Sequence, residues 1–80
     1  MKKIKQRIYH YTAIFERNET RGYTVTVPSL PGLVTEGKDL NDARFMAEDA
    51  VRCYLRGLRT AGDKFPEESE LAQVRLDVKV

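Results

Sequence analysis

The sequence has little that would suit cross-linking, export or membrane insertion. Its single cysteine, Cys53, cannot form an internal disulfide, which is typical of proteins in a reducing compartment. No apolar run approaches the roughly 18 residues of a membrane span. The N-terminus is basic but has no apolar stretch and no small-residue cleavage site, so we expect no secretory signal. Together these absences predict a cytoplasmic protein that does not contact membranes.

The sequence also lacks the patterns of common catalytic and metal sites. It has no zinc-ligand spacing and no glycine-rich phosphate loop. His10 is the only histidine, and no evident nucleophile or orienting partner accompanies it. Cys53 lies at the margin of an apolar helix stripe without a nearby general base, so we interpret it as a small buried hydrophobe. We therefore predict no catalytic residue, no metal and no cofactor.

The length of 80 residues predicts one small domain over residues 1–80. A chain of this length buries only about 60% of the surface that it exposes when unfolded, so pairing with another chain is a common source of stability. The net charge of +2 does not demand a nucleic-acid partner. Positive charge is nevertheless concentrated in residues 1–7, which we expect to be flexible, and along the later helix. These positions are either solvated surface or a footprint for phosphate.

Alternation and turn residues predict four strands. They span residues 8–17, 23–27, 33–36 and 71–80. In the second strand Tyr23, Val25 and Val27 face the core, and Pro28 ends the strand because it cannot donate to a ladder. Pro31-Gly32 suits a tight turn before the third strand. The last strand carries one apolar face, made of Ala72, Val74, Leu76, Val78 and Val80.

One long helix is predicted between the third and fourth strands. Asp39 is a good N-cap, and Gly62 is a suitable residue to end the helix in a left-handed conformation. Apolar residues recur between these ends with a period near 3.6. They are Leu40, Ala43, Met46, Ala47, Ala50, Val51, Tyr54, Leu55 and Leu58. Glu48 and Arg52 form an i,i+4 pair in the favourable order.

The order β-β-β-α-β predicts an α+β domain with a four-stranded mixed sheet. A right-handed crossover gives the strand order 3-2-1-4, with the helix on the face of Tyr23, Val25 and Val27. One helix covers only one side of this sheet. We therefore predict self-association through the opposite side, which carries His10 and several threonines, or through an edge strand.

The stretch around the two prolines carries a distinctive set of turn and cap residues. They are Gly22-Tyr23, Val27-Pro28-x-Leu30-Pro31-Gly32, Thr35-x-Gly37 and the capped helix opening Leu40-x-Asp42-Ala43. This set resembles the HicB antitoxin family of prokaryotic HicA–HicB toxin–antitoxin pairs. It implies a partial ribonuclease-H-like fold without nuclease chemistry. It also implies oligomers, a dimer or tetramer, and binding to a small HicA-type ribonuclease toxin. We expect the contacts to this partner to involve the turn of Ser29, Leu30, Pro31 and Gly32, together with the outer face of the helix.

The chain departs from this family in three respects. Ser29 stands where an acidic residue is frequent, and the net charge is mildly positive, whereas an acidic antitoxin would better complement a basic toxin. The chain also ends after the fourth predicted strand, so we expect no C-terminal DNA-binding domain and no operator binding of its own.

Two alternative functions are weighed against an antitoxin. A nucleic-acid-binding accessory would use basic residues, namely Lys2, Lys3, Lys5, Arg52 and Arg56. A two-metal nuclease would need converging carboxylates. Its candidates are Glu16, Glu48, Asp49 and Asp77. These do not converge in the predicted topology, because Asp77 lies on the outward alternation and Glu48 is paired with Arg52.

Overall fold

The computed structural model describes residues 7–80 and contains four regular elements there. They are β1 (Ile14–Arg17), β2 (Tyr23–Thr26), β3 (Val34–Gly37) and α1 (Leu40–Ala61). The strands form an antiparallel sheet in the order β1-β2-β3. The predicted α+β class, the meander and the single long helix are confirmed. Residues 1–6, which include most of the basic N-terminal segment, lie outside the described residues.

Two glycines allow the helix to begin directly against the sheet. Tyr23 pairs with Gly37 at the end of the β2–β3 ladder, and the preceding residue, Gly22, is buried there. A Cβ atom at Gly22 would collide with the carbonyl of Gly37, and a Cβ atom at Gly37 would collide with the backbone of Ala43 in α1. Only glycine therefore fits at either position. Gly22 and Gly37 therefore allow the close contact between the sheet and the first turn of α1.

Both predicted helix caps are present. The Asp39 side chain accepts a hydrogen bond from the Asp42 N–H at 2.8 Å, and the Asp42 carboxylate accepts one from the Lys38 N–H at 2.9 Å. These reciprocal bonds satisfy free backbone donors at the start of α1, where a carboxylate also favours the helix dipole. Gly62 adopts a left-handed conformation with φ of 77°, and its N–H bonds to the Arg59 carbonyl.

The core lies between one face of the sheet and α1, as predicted. Val25 is completely buried against Ala43 and Ala47 of the helix, with Phe15 and Tyr23 packed around them. A second cluster, further along the helix, joins β2 to the proline turn. It consists of Val27, Leu30 and Leu33, covered by Ala50, Val51, Tyr54 and Leu55. The alternation of β2 therefore correctly predicted the face that α1 covers.

The strands differ from the prediction at both ends of the chain. β1 begins at Ile14 rather than at residue 8, because its pairing of Ile14 with Thr26 would set Thr12 opposite Pro28, which has no N–H. Residues 71–80 form no strand in the described chain, and all ten are exposed. The sheet therefore has three strands, so the predicted order 3-2-1-4 lacks its fourth member.

The segment before residues 71–80 is held near the start of β1. The Phe65 ring contacts the Tyr9 ring edge-on, with 5.1 Å between the ring centres. The Tyr11 hydroxyl donates to the Pro66 carbonyl at 2.6 Å. The molecule measures 62 Å along its longest axis but only 28 and 22 Å along the others. Such a shape fits a short domain with a projecting C-terminal segment.

Candidate protein-binding surface

The double-proline turn joins β2 to β3 and is held rigidly from inside. The Leu30 N–H donates to the Val27 carbonyl at 2.9 Å, and the Leu33 N–H donates to the Leu30 carbonyl at 3.1 Å. Gly32 has a φ of 85°, a value that glycine adopts without strain and that the second of these turns requires. Leu30 is completely buried and Leu33 nearly so. The turn is therefore anchored in the core by the leucines on either side of its tip.

The four predicted contact residues of this turn have different environments. The side chain of Leu30 lies in the core, so it supports the turn from below and cannot contact a partner. Pro31 and Gly32 are exposed, and Ser29 is half-buried. The Tyr54 hydroxyl of α1 donates to the Pro31 carbonyl at 2.9 Å, which fixes the tip to the helix. The surface available to a partner is thus a small, preorganised tip of Pro31 and Gly32.

The Glu68 carboxylate bonds to Thr12 and to Ser29 at one side of the turn, and we call this set of hydrogen bonds the carboxylate clamp. Glu68 accepts hydrogen bonds from the Thr12 N–H at 2.6 Å, from the Thr12 hydroxyl at 2.8 Å and from the Ser29 hydroxyl at 3.2 Å. The bonds from Thr12 lower the pKa of the Glu68 carboxyl, and the Ser29 bond and the nearby His10 act in the same direction. Sequence reasoning missed this clamp, because Glu68 is one of three glutamates in a polar loop and nothing local distinguishes it.

An open groove of about 850 Å³ lies between α1 and the segment that leads into β1. Tyr11, Ala13 and Phe15 line one wall, and Val51 and Leu55 belong to the helix wall. Leu40, also in the lining, is 54% exposed although it belongs to the apolar stripe of the helix. Burial of Tyr11 at this wall raises the pKa of its hydroxyl, and nearby Tyr9, Glu67 and Glu68 act in the same direction. The groove is lined mainly by apolar residues, and residues 7–80 leave it uncovered.

Comparison with known proteins assigns this architecture to a family. The family model described as "HicB_like antitoxin of bacterial toxin-antitoxin system" matches residues 11–79. The chain belongs to the HicB-like antitoxin family. The predicted resemblance is therefore confirmed, and it extends over the exposed C-terminal segment as well as over the sheet and helix.

Relatives of this HicB-like chain occur in archaea and in a phage. A UPF0150 protein of Thermoplasma acidophilum is 36% identical over 59 residues, covering 74% of this chain and 86% of that protein. A UPF0150 protein of Archaeoglobus fulgidus is 32% identical over 53 residues, covering 66% and 77%. An uncharacterised 14.9 kDa protein of Haemophilus phage HP1 is 29% identical over 52 residues, covering 65% of this chain but 39% of its own length. No solved structure matches the chain.

The basic residues proposed for nucleic-acid binding are only partly described. Lys2, Lys3 and Lys5 lie outside the described residues. Arg52 and Arg56 line a small hollow beside Arg7 and Arg59. Two aromatic rings, those of Tyr9 and Phe65, complete it, and the Arg59 guanidinium lies 5.3 Å from the centre of the Phe65 ring. The two predicted arginines thus lie together with Arg59, another arginine of the same helix, and with Arg7 of the basic N-terminal segment.

The remaining candidates occupy exposed positions. Cys53 is exposed, so its interpretation as a buried hydrophobe was wrong: it lies just outside the stripe that faces the sheet. His10 is exposed as well. Glu48 lies between two arginines, 3.6 Å from Arg44 and 3.7 Å from Arg52, which confirms the predicted helical pair. Within residues 7–80, no three histidine, cysteine or acidic side chains are grouped as metal ligands would be.

The sheet face opposite α1 is open in the described chain. Thr24 and Thr26 are half-buried at its centre, and Val34 at its edge is 63% exposed. On the outer side of α1, Phe45 is 69% exposed. In the part of the chain that the structure describes, no helix is long and apolar enough to pass through a bilayer.

Proposed function

We propose that this HicB-like chain is a cytoplasmic antitoxin that binds a small HicA-type ribonuclease toxin and occludes its active site without catalysing a reaction. Family membership supports the antitoxin role. The observation that carries the binding proposal is the exposed tip of Pro31 and Gly32, anchored by buried Leu30 and by the hydroxyl of Tyr54. A preordered tip loses little conformational entropy when a partner binds it.

Occlusion needs a rigid surface more than it needs reactive groups. The tip has no charged side chain of its own, and Glu68 nearby is already engaged by Thr12 and Ser29. Contact would therefore depend on shape and on main-chain groups at the turn. The resemblance to the family further suggests a partial ribonuclease-H-like fold and a dimer or tetramer, and both remain part of this proposal.

The experiment is co-expression with the product of the neighbouring gene, followed by affinity capture of the complex. We expect the wild-type chain to restore growth and to retain the partner in a stoichiometric complex. Pro31→Arg places a bulky positive charge on the tip, which a basic toxin would repel, and should weaken capture at least about tenfold. Thr60→Arg places the same charge on an exposed position at the far end of α1 and should leave capture unchanged.

Two outcomes would count against the proposal. If the wild-type chain neither captures the partner nor restores growth, it has no toxin-binding role with that partner. If Pro31→Arg and Thr60→Arg capture it equally well, the contact lies away from the turn. The circular dichroism spectra of both variants are compared with that of the wild type, so that a loss of capture is not mistaken for a loss of fold.

A second candidate function, nucleic-acid binding, is favoured by the arginine hollow. Four arginines and two aromatic rings in one place can pair with phosphates and stack on bases. Binding of this kind weakens steeply as salt rises, because phosphate contacts release counterions. Arg56→Glu should abolish it, whereas Arg44→Glu, outside the hollow and paired with Glu48, should affect it much less. Absence of binding to single-stranded and duplex probes at low salt would exclude this function.

A further inference from the structure

The C-terminal segment, residues 71–80, has the pattern of a half-buried strand but is exposed along its whole length. Its large apolar residues are all accessible: Leu71 is 45%, Val74 70%, Leu76 77% and Val78 73% exposed. From Ala72 onwards apolar residues alternate with polar ones, so the segment has one apolar and one polar face. An apolar face of this length left in water marks an interaction site.

The part of the chain that the structure describes also leaves a complementary apolar surface uncovered. β1 is an outer strand of the described sheet, so one edge of its backbone is free to pair. The groove between β1 and α1 runs beside that edge and leaves Leu40, Val51 and Leu55 partly accessible. A strand added at the edge of β1 would place alternate side chains in the groove and the others in solvent. Residues 71–80 have this alternation.

The clamp places the start of the segment close to the sheet. Glu68 binds Thr12, ahead of β1, and Ser29, just beyond β2. Only Ser69 and Glu70 separate Glu68 from Leu71, so the segment begins close to the start of β1. All ten of its residues are nevertheless exposed in the described chain, so the segment does not cover the groove of its own chain there.

We propose that residues 71–80 pair with the free edge of β1 in a second copy of this chain and cover its groove, while the segment of the second copy does the same in return. The exchange completes the four-stranded order 3-2-1-4 in each half, with the fourth strand supplied by the partner. The exchange specifies how the dimer of the proposed function would form. It does not depend on toxin binding, so a failure to capture a toxin would leave it standing.

A second copy fits this surface better than another protein does. Groove and segment are present once in each chain, so a two-fold axis satisfies both at the same time and leaves neither exposed. Each chain contributes ten segment residues and the fifteen residues that line the groove. This agrees with the 20–30 residues a side of a stable interface. An exchange of identical elements also needs little change in either fold.

The first experiment measures mass by sedimentation equilibrium with the complete chain. We expect a dimer of two 9.2 kDa chains at micromolar concentration. Leu76→Asp places a charge on the apolar face and should weaken the dimer at least about hundredfold. Gln73→Asp adds the same charge to the polar face of the same segment, and it should change the dissociation constant less than about threefold. A monomeric wild type, or a dimer that Leu76→Asp leaves unchanged, would overturn the proposal.

The second experiment separates exchange from a segment that folds back on its own chain. In a Cys53→Ser background, one chain carries Leu40→Cys in the groove and another carries Val74→Cys or Val78→Cys in the segment. The two chains are unfolded together, refolded and oxidised. Exchange predicts a disulfide between the two chains with either segment cysteine, and much less with Gln73→Cys on the polar face. Lack of an inter-chain disulfide with both Val74→Cys and Val78→Cys would overturn the proposal, as would equal yield with Gln73→Cys.

Discussion

Gly37→Ala tests whether the contact between β3 and the first turn of α1 organises the fold. The new Cβ atom would lie closer than 3.0 Å to backbone atoms of Asp42 and Ala43. A backbone cannot rotate aside as a side chain can, so either β3 or the start of α1 has to move. Ala43 is completely buried beside Val25, and any such movement opens the core at its most enclosed point.

The expected cost follows from the kind of atoms involved. Overpacking a well-packed core costs typically about 1–3 kcal/mol, and more where the neighbours cannot relax. The collision at Gly37 is with main-chain atoms, so we expect about 3 kcal/mol. In a domain of this size each kcal/mol corresponds to roughly 4–8 °C in Tm, so the midpoint should fall by about 12–24 °C.

The assay is thermal unfolding followed by circular dichroism, with every variant at one fixed protein concentration because association shifts Tm. Gly57→Ala is the matched control. It makes the same change in the middle of α1, where a Cβ atom would meet nothing within 4 Å. It should raise stability by about 1 kcal/mol through helix propensity. A Gly37→Ala protein as stable as the wild type would refute the reasoning. A destabilised Gly57→Ala protein would mean that Gly57 faces a second chain.

Three further substitutions test other contacts. Asp39→Ala removes the N-cap of α1 and should cost about 1 kcal/mol in denaturant unfolding, with no change in oligomeric mass. Tyr54→Phe keeps the ring but leaves the Pro31 carbonyl without its donor; it should cost about 0.5–1.5 kcal/mol and speed amide exchange in the proline turn. The Glu68 carboxyl has a lowered pKa in the folded chain, so its bonds stabilise the fold fully at pH values above the ordinary pKa of a glutamate. This stabilisation is lost as the pH falls through the lower pKa of the folded chain. Glu68→Gln should therefore flatten the acid side of the stability profile, whereas Glu67→Gln should not, and equal profiles would disprove the clamp.

The features that the sequence predicted well are those where residue choice is narrowest. Asp39 and Gly62 bound the helix as expected, because few residues satisfy the free backbone groups at helix ends. The turn at Pro31-Gly32 is also where it was predicted, since proline fixes one φ and glycine supplies the positive one. The alternation of β2 identified the face that α1 covers. Each of these follows from a local rule that needs no knowledge of distant contacts.

The features that the sequence did not predict depend on contacts between distant segments. The hydrogen bond between Thr12 and Glu68 joins residues that are 56 positions apart, and no local sequence pattern predicts it. The burial of Leu30 was missed for the same reason: a leucine within a turn looks exposed until Tyr54 and Leu55 of the helix are placed over it. The short β1 results from Pro28, whose effect on the pairing partner becomes visible only when the register is known.

Alternation in a strand states which side is apolar, but it does not state which molecule covers that side. In residues 71–80 the pattern is clear, yet the described chain offers these side chains no cover. The predicted fourth strand is consistent with the exposed segment if a second copy of the chain covers the apolar face of residues 71–80. The segment would then leave each chain at Glu68, which also holds Ser29 at the base of the proposed toxin-binding tip.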